Sequence, residues 1–303
     1  MADYEFVTVD VFTEQRFGGN PLAVFPDARG LTDVQMQSLA NEFNLSETTF
    51  VLPPDNPQHH ARVRIFNRSY EMPFAGHPNV GTGFVLAVRD ARPPEHYVFE
   101  EISGLVRVHV LRAPDRRITG ARISAPRSLQ LGISIATETV AACAGLAPED
   151  ILTTAHHPLT ASVGVEFVIA ELASVDALKR ATPDLAAFRK AATAYPDLHN
   201  RLSLHLYVRR DGDATKLHAR MFAPLGGTIE DPATGSANAT LAALLTSLAP
   251  GENVDLTYDI EQGVEMGRPS RLIATARKTA EGPVSATVAG SCVPVMRGFV
   301  TVD

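Results

Sequence analysis

Three side chains stand out by type and by neighbourhood. Glu47 opens the run Glu47-Thr-Thr-Phe-Val-Leu52, otherwise apolar or hydroxyl-bearing, where partial burial raises a carboxyl pKa toward the range useful to a general acid or base. His77 and Asp231 each stand beside a glycine-bearing segment, Met72-Pro-Phe-Ala-Gly-His-Pro-Asn-Val-Gly81 and Glu230-Asp-Pro-Ala-Thr-Gly-Ser-Ala-Asn238. Each also has a plainer local role: a solvent-facing glutamate at a strand edge, a histidine bonded to a neighbouring carbonyl, an aspartate at an N-cap. Both segments read as loops that open helices. A helix start offers unpaired N–H groups and the positive end of the dipole, so it suits a carboxylate, and Gly76 and Gly235 let that ligand reach the backbone. Pro78 fits a first helical turn because its missing N–H would have no intrahelical partner.

The two segments occupy matching places in a duplicated chain. Gly76 and Gly235 are spaced 159 residues apart, and the same spacing superposes Asn79 on Asn238, Phe99 on Tyr258 and Gly104 on Gly263. Upstream the spacing is 156, matching Arg64 and Phe66 with Arg220 and Phe222. Two copies of one supersecondary unit facing each other create a cleft, which is where the site is expected.

Each copy reads in the same order. In the first, Phe6–Phe12 and Pro21–Phe25 form a hairpin through Gly18-Gly19-Asn20, and Thr32-Asp-Val-Gln35 is a capping box for an amphipathic helix ending near Asn44. Strands at Ser46–Leu52 and Ala61–Phe66 lead into the first glycine loop. The second runs through a strand at Val163–Ala170, a helix around Ala186–Ala194, and strands at Leu202–Arg209 and Leu217–Phe222 to the second loop. From Pro78 to Val88 and from Gly235 to Ala249 there is no charged residue, so both helices after the loops should be buried. The expected fold class is α+β, with two pseudo-symmetric lobes, each a curved, mostly antiparallel sheet wrapped around a buried central helix. The N-terminal lobe is expected over 1–125, completed by 292–303, and the C-terminal lobe over 126–291.

Composition narrows the function further. A net charge of −7 repels polyphosphate, which argues against nucleic acid as a partner. The start lacks an apolar signal core and the longest apolar stretches are too short to span a bilayer, so the chain reads as cytoplasmic with no membrane partner. Cys143 and Cys292 have neither disulfide-framework nor thiolate-metal spacing and read as two buried thiols. The adjacent pairs His59-His60 and His156-His157 would point to opposite strand faces, so they read as surface residues and no metal is expected. Gly81-Thr82-Gly83 lacks the ending of a P-loop and the full spacing of a dinucleotide loop, so no cofactor is expected either.

Leu45-Ser-Glu-Thr-Thr-Phe-Val51, Met72-Pro-Phe-Ala-Gly-His-Pro78 and Glu230-Asp-Pro-Ala-Thr-Gly-Ser-Ala237 resemble the motifs of the phenazine-biosynthesis (PhzF-like) isomerases, and Val9-Asp-Val-Phe12 through Gly19-Asn-Pro21 fits as well. The resemblance runs across the whole chain. It implies the diaminopimelate-epimerase-like fold, a cofactor-independent reaction, and a homodimer. It also implies that Glu47 is the proton-transfer carboxylate and that His77 and Asp231 hold the substrate and assist, while Gly76, Asn20, Gly235 and Ser236 bind it. The reaction so implied is similar to that of trans-2,3-dihydro-3-hydroxyanthranilate isomerase, a proton moved from C3 to C1 of a small carboxylate. Two departures from the family pattern concern substrate identity: Phe66-Asn-Arg-Ser-Tyr70 replaces the more usual Phe-Thr-Pro, and Asn79 stands where threonine is frequent. A cysteine-dependent epimerase or racemase of the same fold would need a thiol at each helix start, where this chain has none. A binder of small carboxylates without catalysis is the remaining alternative, and Glu47 argues against it.

Overall fold

The computed structural model describes residues 1–199 and 201–303, a mixed α+β chain with six α-helices and many strands among those residues. It divides into two compact units, Met1–Pro126 with Val288–Asp303, and Arg127–Thr287.

In the first unit Ala2–Val11 pairs antiparallel with Asn20–Phe25, and the latter pairs in parallel with Glu47–Leu52. Gly19, at φ +63, turns the chain into Asn20, where a β-carbon would lie 2.3 Å from the Val11 carbonyl oxygen. Glu47–Leu52 then pairs antiparallel with Ala61–Phe66, which runs parallel to His96–Glu101, and Gly104–Arg112 and Ile118–Ser124 continue antiparallel. The final strand, Gly282–Val302, pairs with both Ile118–Ser124 and Ala2–Val11, so the sheet of this unit closes on itself. The helix Gly76–Arg89 packs inside it against the strands Ala2–Val11, Asn20–Phe25, Gly104–Arg112 and Ile118–Ser124. Gly81 and Gly83 are packing residues of this helix: β-carbons there would sit 2.5 Å from Leu22 Cδ2 and Val108 Cγ1. The capping box at Thr32 and Gln35 starts the helix Asp33–Phe43, which ends on left-handed Asn44.

The second unit repeats the pairing pattern. Leu159–Ser162 is antiparallel to Glu166–Leu172, which is parallel to Leu204–Arg210; Asp213–Ala223 follows antiparallel, then Val254–Gln262 in parallel and Ser270–Thr279 antiparallel. Its buried helix, Gly235–Leu248, packs on these last two strands. The strand expected over Val163–Ala170 starts only at Glu166 and runs to Leu172, because Gly164, at φ +146, turns the chain out of the preceding strand while its N–H donates to Ser162 Oγ. The closing strand, Gly282–Val302, begins well before the expected completing segment 292–303, since Ala286, Val288 and Ala289 continue its buried positions upstream.

A clamp recurs immediately before each glycine loop. Arg64 donates through Nε and Nη2 to Glu71 at 2.7 and 2.5 Å, and Arg220 does the same to Glu230 at 2.8 Å twice. Each guanidinium lies over the phenylalanine two residues on, Phe66 at 5.1 Å and Phe222 at 4.8 Å from the ring centroid. Bidentate pairing with stacking fixes the strand end from which the loop departs.

Candidate active site

Glu47 is the first residue of its strand, and its register is locked from behind. Phe50 stacks on Phe25 at 4.9 Å and meets Phe66 edge-on at 5.5 Å, so a one-residue slip would lose this packing and turn Glu47 to the other face. Side chains two apart share a face, and Thr49 Oγ1 lies 2.8 Å from Thr82 Oγ1 of the buried helix. On that same side Glu47 Oε2 comes within 3.3 Å of His77 Nε2, in the first turn of the helix. Asn20, fully buried, begins the neighbouring strand, whose Leu22 pairs with Glu47.

Burial governs His77. Its ring is almost completely excluded from water, which pulls its pKa down to about 3, so the imidazole is neutral across the physiological range. A neutral ring can donate from Nε2 to a carboxylate in one tautomer and accept from a carboxylic acid in the other. The pair therefore stays compatible with both protonation states of Glu47, as proton shuttling requires.

Asp231, Gly235 and Ser236 belong to the second unit, where a buried network sets the helix start. Gln262, with no exposed surface, accepts from Thr234 N at 3.1 Å and from Asn238 Nδ2 at 2.7 Å, and donates to the Asp231 carbonyl at 2.8 Å and to Thr234 Oγ1 at 3.1 Å. Asn238 Nδ2 also donates to the Thr234 carbonyl, and its Oδ1 lies 3.2 Å from Nε2 of buried His205. Thr234 occupies the N-cap, yet its hydroxyl donates to Asp231 Oδ2 at 2.5 Å and makes no cap. Ala75, at the N-cap of the first glycine helix, makes none either, whereas Thr32, Ser174 and Asp184 cap their helices. Both glycine helices therefore start with backbone N–H groups that no capping side chain occupies.

Sequence reasoning picked out Glu47, His77, Asn20, Gly76, Asp231, Gly235 and Ser236; the structure brings Glu47 to His77 in the first unit and joins Asp231 to the Gly235 helix start in the second. It missed Gln262, Thr234 and His205. Only the recurrence of Asn79 and Asn238 pointed at that network.

The histidine pairs differ from expectation. Neither lies on a strand. His59 Nδ1 is 2.7 Å from Glu100, and His60 Nδ1 accepts from Val98 N. His156 is buried rather than at the surface, with Nε2 3.0 Å from the hydroxyl of Tyr207, which donates to Glu171. Among the described residues, no three His, Cys, Asp or Glu side chains gather in a group that could hold a metal, and no helix is long and apolar enough to cross a membrane. Cys143, in the helix Thr137–Ala144, and Cys292, in the closing strand, are both buried and free, and burial raises both thiol pKa values, that of Cys143 to about 12.

A sequence model of the family described as phenazine biosynthesis-like protein matches residues 9–298. An uncharacterized isomerase of Mesorhizobium japonicum is 39% identical over 98% of this chain and 99% of its own. A trans-2,3-dihydro-3-hydroxyanthranilate isomerase of Pseudomonas fluorescens is 32% identical over 98% and 99%. The crystal structure of a Bacillus anthracis phenazine biosynthesis protein of the PhzF family superposes with a TM-score of 0.88 at 25% identity, covering all of both chains.

Proposed function

Because this chain belongs to the phenazine biosynthesis-like family and is an isomerase-class enzyme, we propose that it moves a proton between carbons of a small unsaturated carboxylate, with Glu47 as the proton carrier. The observation that carries this reading is the 3.3 Å approach of Glu47 to a neutral, buried His77. With a substrate of the trans-2,3-dihydro-3-hydroxyanthranilate type, the Glu47 carboxylate takes the proton from C3, the electron pair moves into the conjugated system, and C1 receives a proton. The product enol then tautomerises to the ketone, so atoms and charge balance without a second reactant. His77, 3.3 Å from Glu47, orients it and can hydrogen-bond it in either protonation state. Asp231, held by Thr234, orients the substrate, Asn20 and Gly76 bind it in the first unit, and the N–H groups at Gly235 and Ser236 receive its carboxylate. In this reading the two units are pseudo-symmetric lobes of a diaminopimelate-epimerase-like fold, and the chain acts as a homodimer. A thiol-based epimerase is disfavoured by the positions of Cys143 and Cys292.

The test is incubation with trans-2,3-dihydro-3-hydroxyanthranilate and with a panel of unsaturated cyclic and acyclic amino acids, followed by NMR of the products. Appearance of a double-bond or ketone isomer supports the reading. Inversion of a stereocentre as the sole change in every substrate that reacts would replace it with the epimerase reading.

A further inference from the structure

The two units treat one position differently. Asn79 and Asn238 lie in matching turns, and each donates Nδ2 to the carbonyl four residues earlier, Ala75 and Thr234, at 3.0 Å. The strand that ends behind each turn runs parallel to the arginine-bearing strand, with Glu100 opposite Arg62 and Glu261 opposite His218. The next residue is Glu101 in the first unit and Gln262 in the second, so a carboxyl stands where the other copy has an amide. Gln262 uses both acceptor and donor capacity to tie down its loop. An ionised carboxylate cannot donate at all.

We infer that Glu101 is a positioning residue for the Gly76 helix start, acting as a neutral, proton-bearing acid in the place that Gln262 fills in the second unit. Both Glu101 oxygens and Asn79 Oδ1 are buried with no hydrogen bond of ordinary geometry, and the Asn79 amide comes near enough to the Glu101 carboxyl to favour its charged form, though less than burial disfavours it. An ionised carboxylate in this buried place is costly, and one proton on Glu101 removes the charge and adds a donor beside Asn79. The adjoining loop is tied as well, since Ser103 N donates to the carbonyl of Pro73 at 3.1 Å.

The charged groups around it are engaged elsewhere. A cavity of about 180 Å³ is lined by Asp55, Arg62, Arg64, Glu71, Glu100 and Glu101. Arg62 faces Asp55 at 3.8 Å, and Arg64 is held by Glu71 and Asp33. Glu100 accepts from the N–H groups of Asp55 and Asn56 and pairs with His59. On the buried helix His77, two residues before Asn79, is already neutral. Among the described residues no cation pairs with Glu101, and burial raises its pKa to about 8. The acid form is therefore favoured by folding: its contribution is fully present below the unfolded value of 4.5 and is lost as pH rises through about 8.

The test needs no substrate, so its failure is separable from failure of the isomerase reading. In the full chain labelled with ¹³C-glutamate, the Glu101 carboxyl carbon, assigned by its loss in Glu101→Gln, should titrate near pH 8. The ring resonances of His77, which does not itself titrate there, should move with the same midpoint. In Glu101→Gln they should hold their low-pH positions up to pH 9.5, and in Glu101→Ala they should be displaced at every pH. A Glu101 carboxyl that titrates at or below about pH 5 overturns the inference. So does a Glu101→Gln variant that displaces His77 as much as Glu101→Ala. If neither variant folds, residue-specific assignment of the labelled native chain still decides through the first criterion.

Discussion

Replacing Gln262 with leucine, close in volume but without polar atoms, removes four hydrogen bonds from a side chain that has no exposed surface. Thr234 N and Asn238 Nδ2 lose an acceptor, and the Asp231 carbonyl and Thr234 Oγ1 lose a donor. Asn238 Nδ2 retains the Thr234 carbonyl and Thr234 Oγ1 retains Asp231 Oδ2, so two of the four losses are cushioned. With about 1 kcal/mol net per cushioned bond and about 1–3 kcal/mol per buried group stripped of its partner, the loss comes to roughly 4–8 kcal/mol, offset by about 1–2 kcal/mol from the added apolar burial. We therefore expect Gln262→Leu to cost about 2–7 kcal/mol in equilibrium denaturation. Faster amide exchange at Thr234 and at the first turn of the Gly235 helix should accompany it, with turnover falling because Asp231 is no longer held. Thr257→Val, which breaks an exposed threonine pair, is the control and should cost less than about 0.5 kcal/mol. A Gln262→Leu cost under 1 kcal/mol with unchanged exchange at Thr234 would refute the positioning argument.

Acid should destabilise the fold through its buried histidines. His77 and His205 are held at about 3 and about 4 by burial, against 6.5 when unfolded, so the unfolded chain binds more protons in that window and stability falls as pH drops from 6.5 toward 4. Unfolding free energies at pH 6.5 and 4.5 should differ by a few kcal/mol, and His205→Gln should shrink that difference; an unchanged difference contradicts it. Arg220→Lys should cost about 2–3 kcal/mol by chemical denaturation despite keeping the charge, because the bidentate bond to Glu230 and the stack on Phe222 both need the guanidinium plane. A cost below 0.5 kcal/mol would reduce the clamp to a simple charge pair. Gly120→Ala should disrupt the closure of the first unit's sheet, since its β-carbon would fall 2.0 Å from the Gly290 carbonyl oxygen; a soluble variant with native thermal stability would contradict that packing.

The legible parts of the sequence were those with a local physical signature. Absence of charge over Pro78–Val88 and Gly235–Ala249 marked two buried helices because no polar face was left for solvent. The Thr32 capping box and the strand Ala61–Phe66 were legible for similar reasons, and Glu47 stood out as a lone charge in an uncharged strand. The network behind Asp231 was not. Gln262 sits beyond a register change that separates it from Glu101 by 161 residues rather than 159, and the two differ in type, so the repeat hid them. His156 misled because its burial depends on Tyr207, far away in sequence. Of the two departures from the family pattern, Asn79 proved to be a buried turn clamp. Asn67 accepts from Ser69 and Tyr70 in a turn whose carbonyls are bound by Gln37 and Asn41.

The central claim is that Glu47 carries the proton. With trans-2,3-dihydro-3-hydroxyanthranilate, or whichever unsaturated amino acid the panel shows to react, in deuterated water, the native chain should place deuterium on a ring or chain carbon. Glu47→Gln keeps size and hydrogen bonding but cannot exchange a proton, so it should bind the same ligand while exchange falls by on the order of a hundredfold or more. Exchange by Glu47→Gln at the native rate, or a native chain that binds the ligand and exchanges none of its carbon-bound protons, would contradict the account.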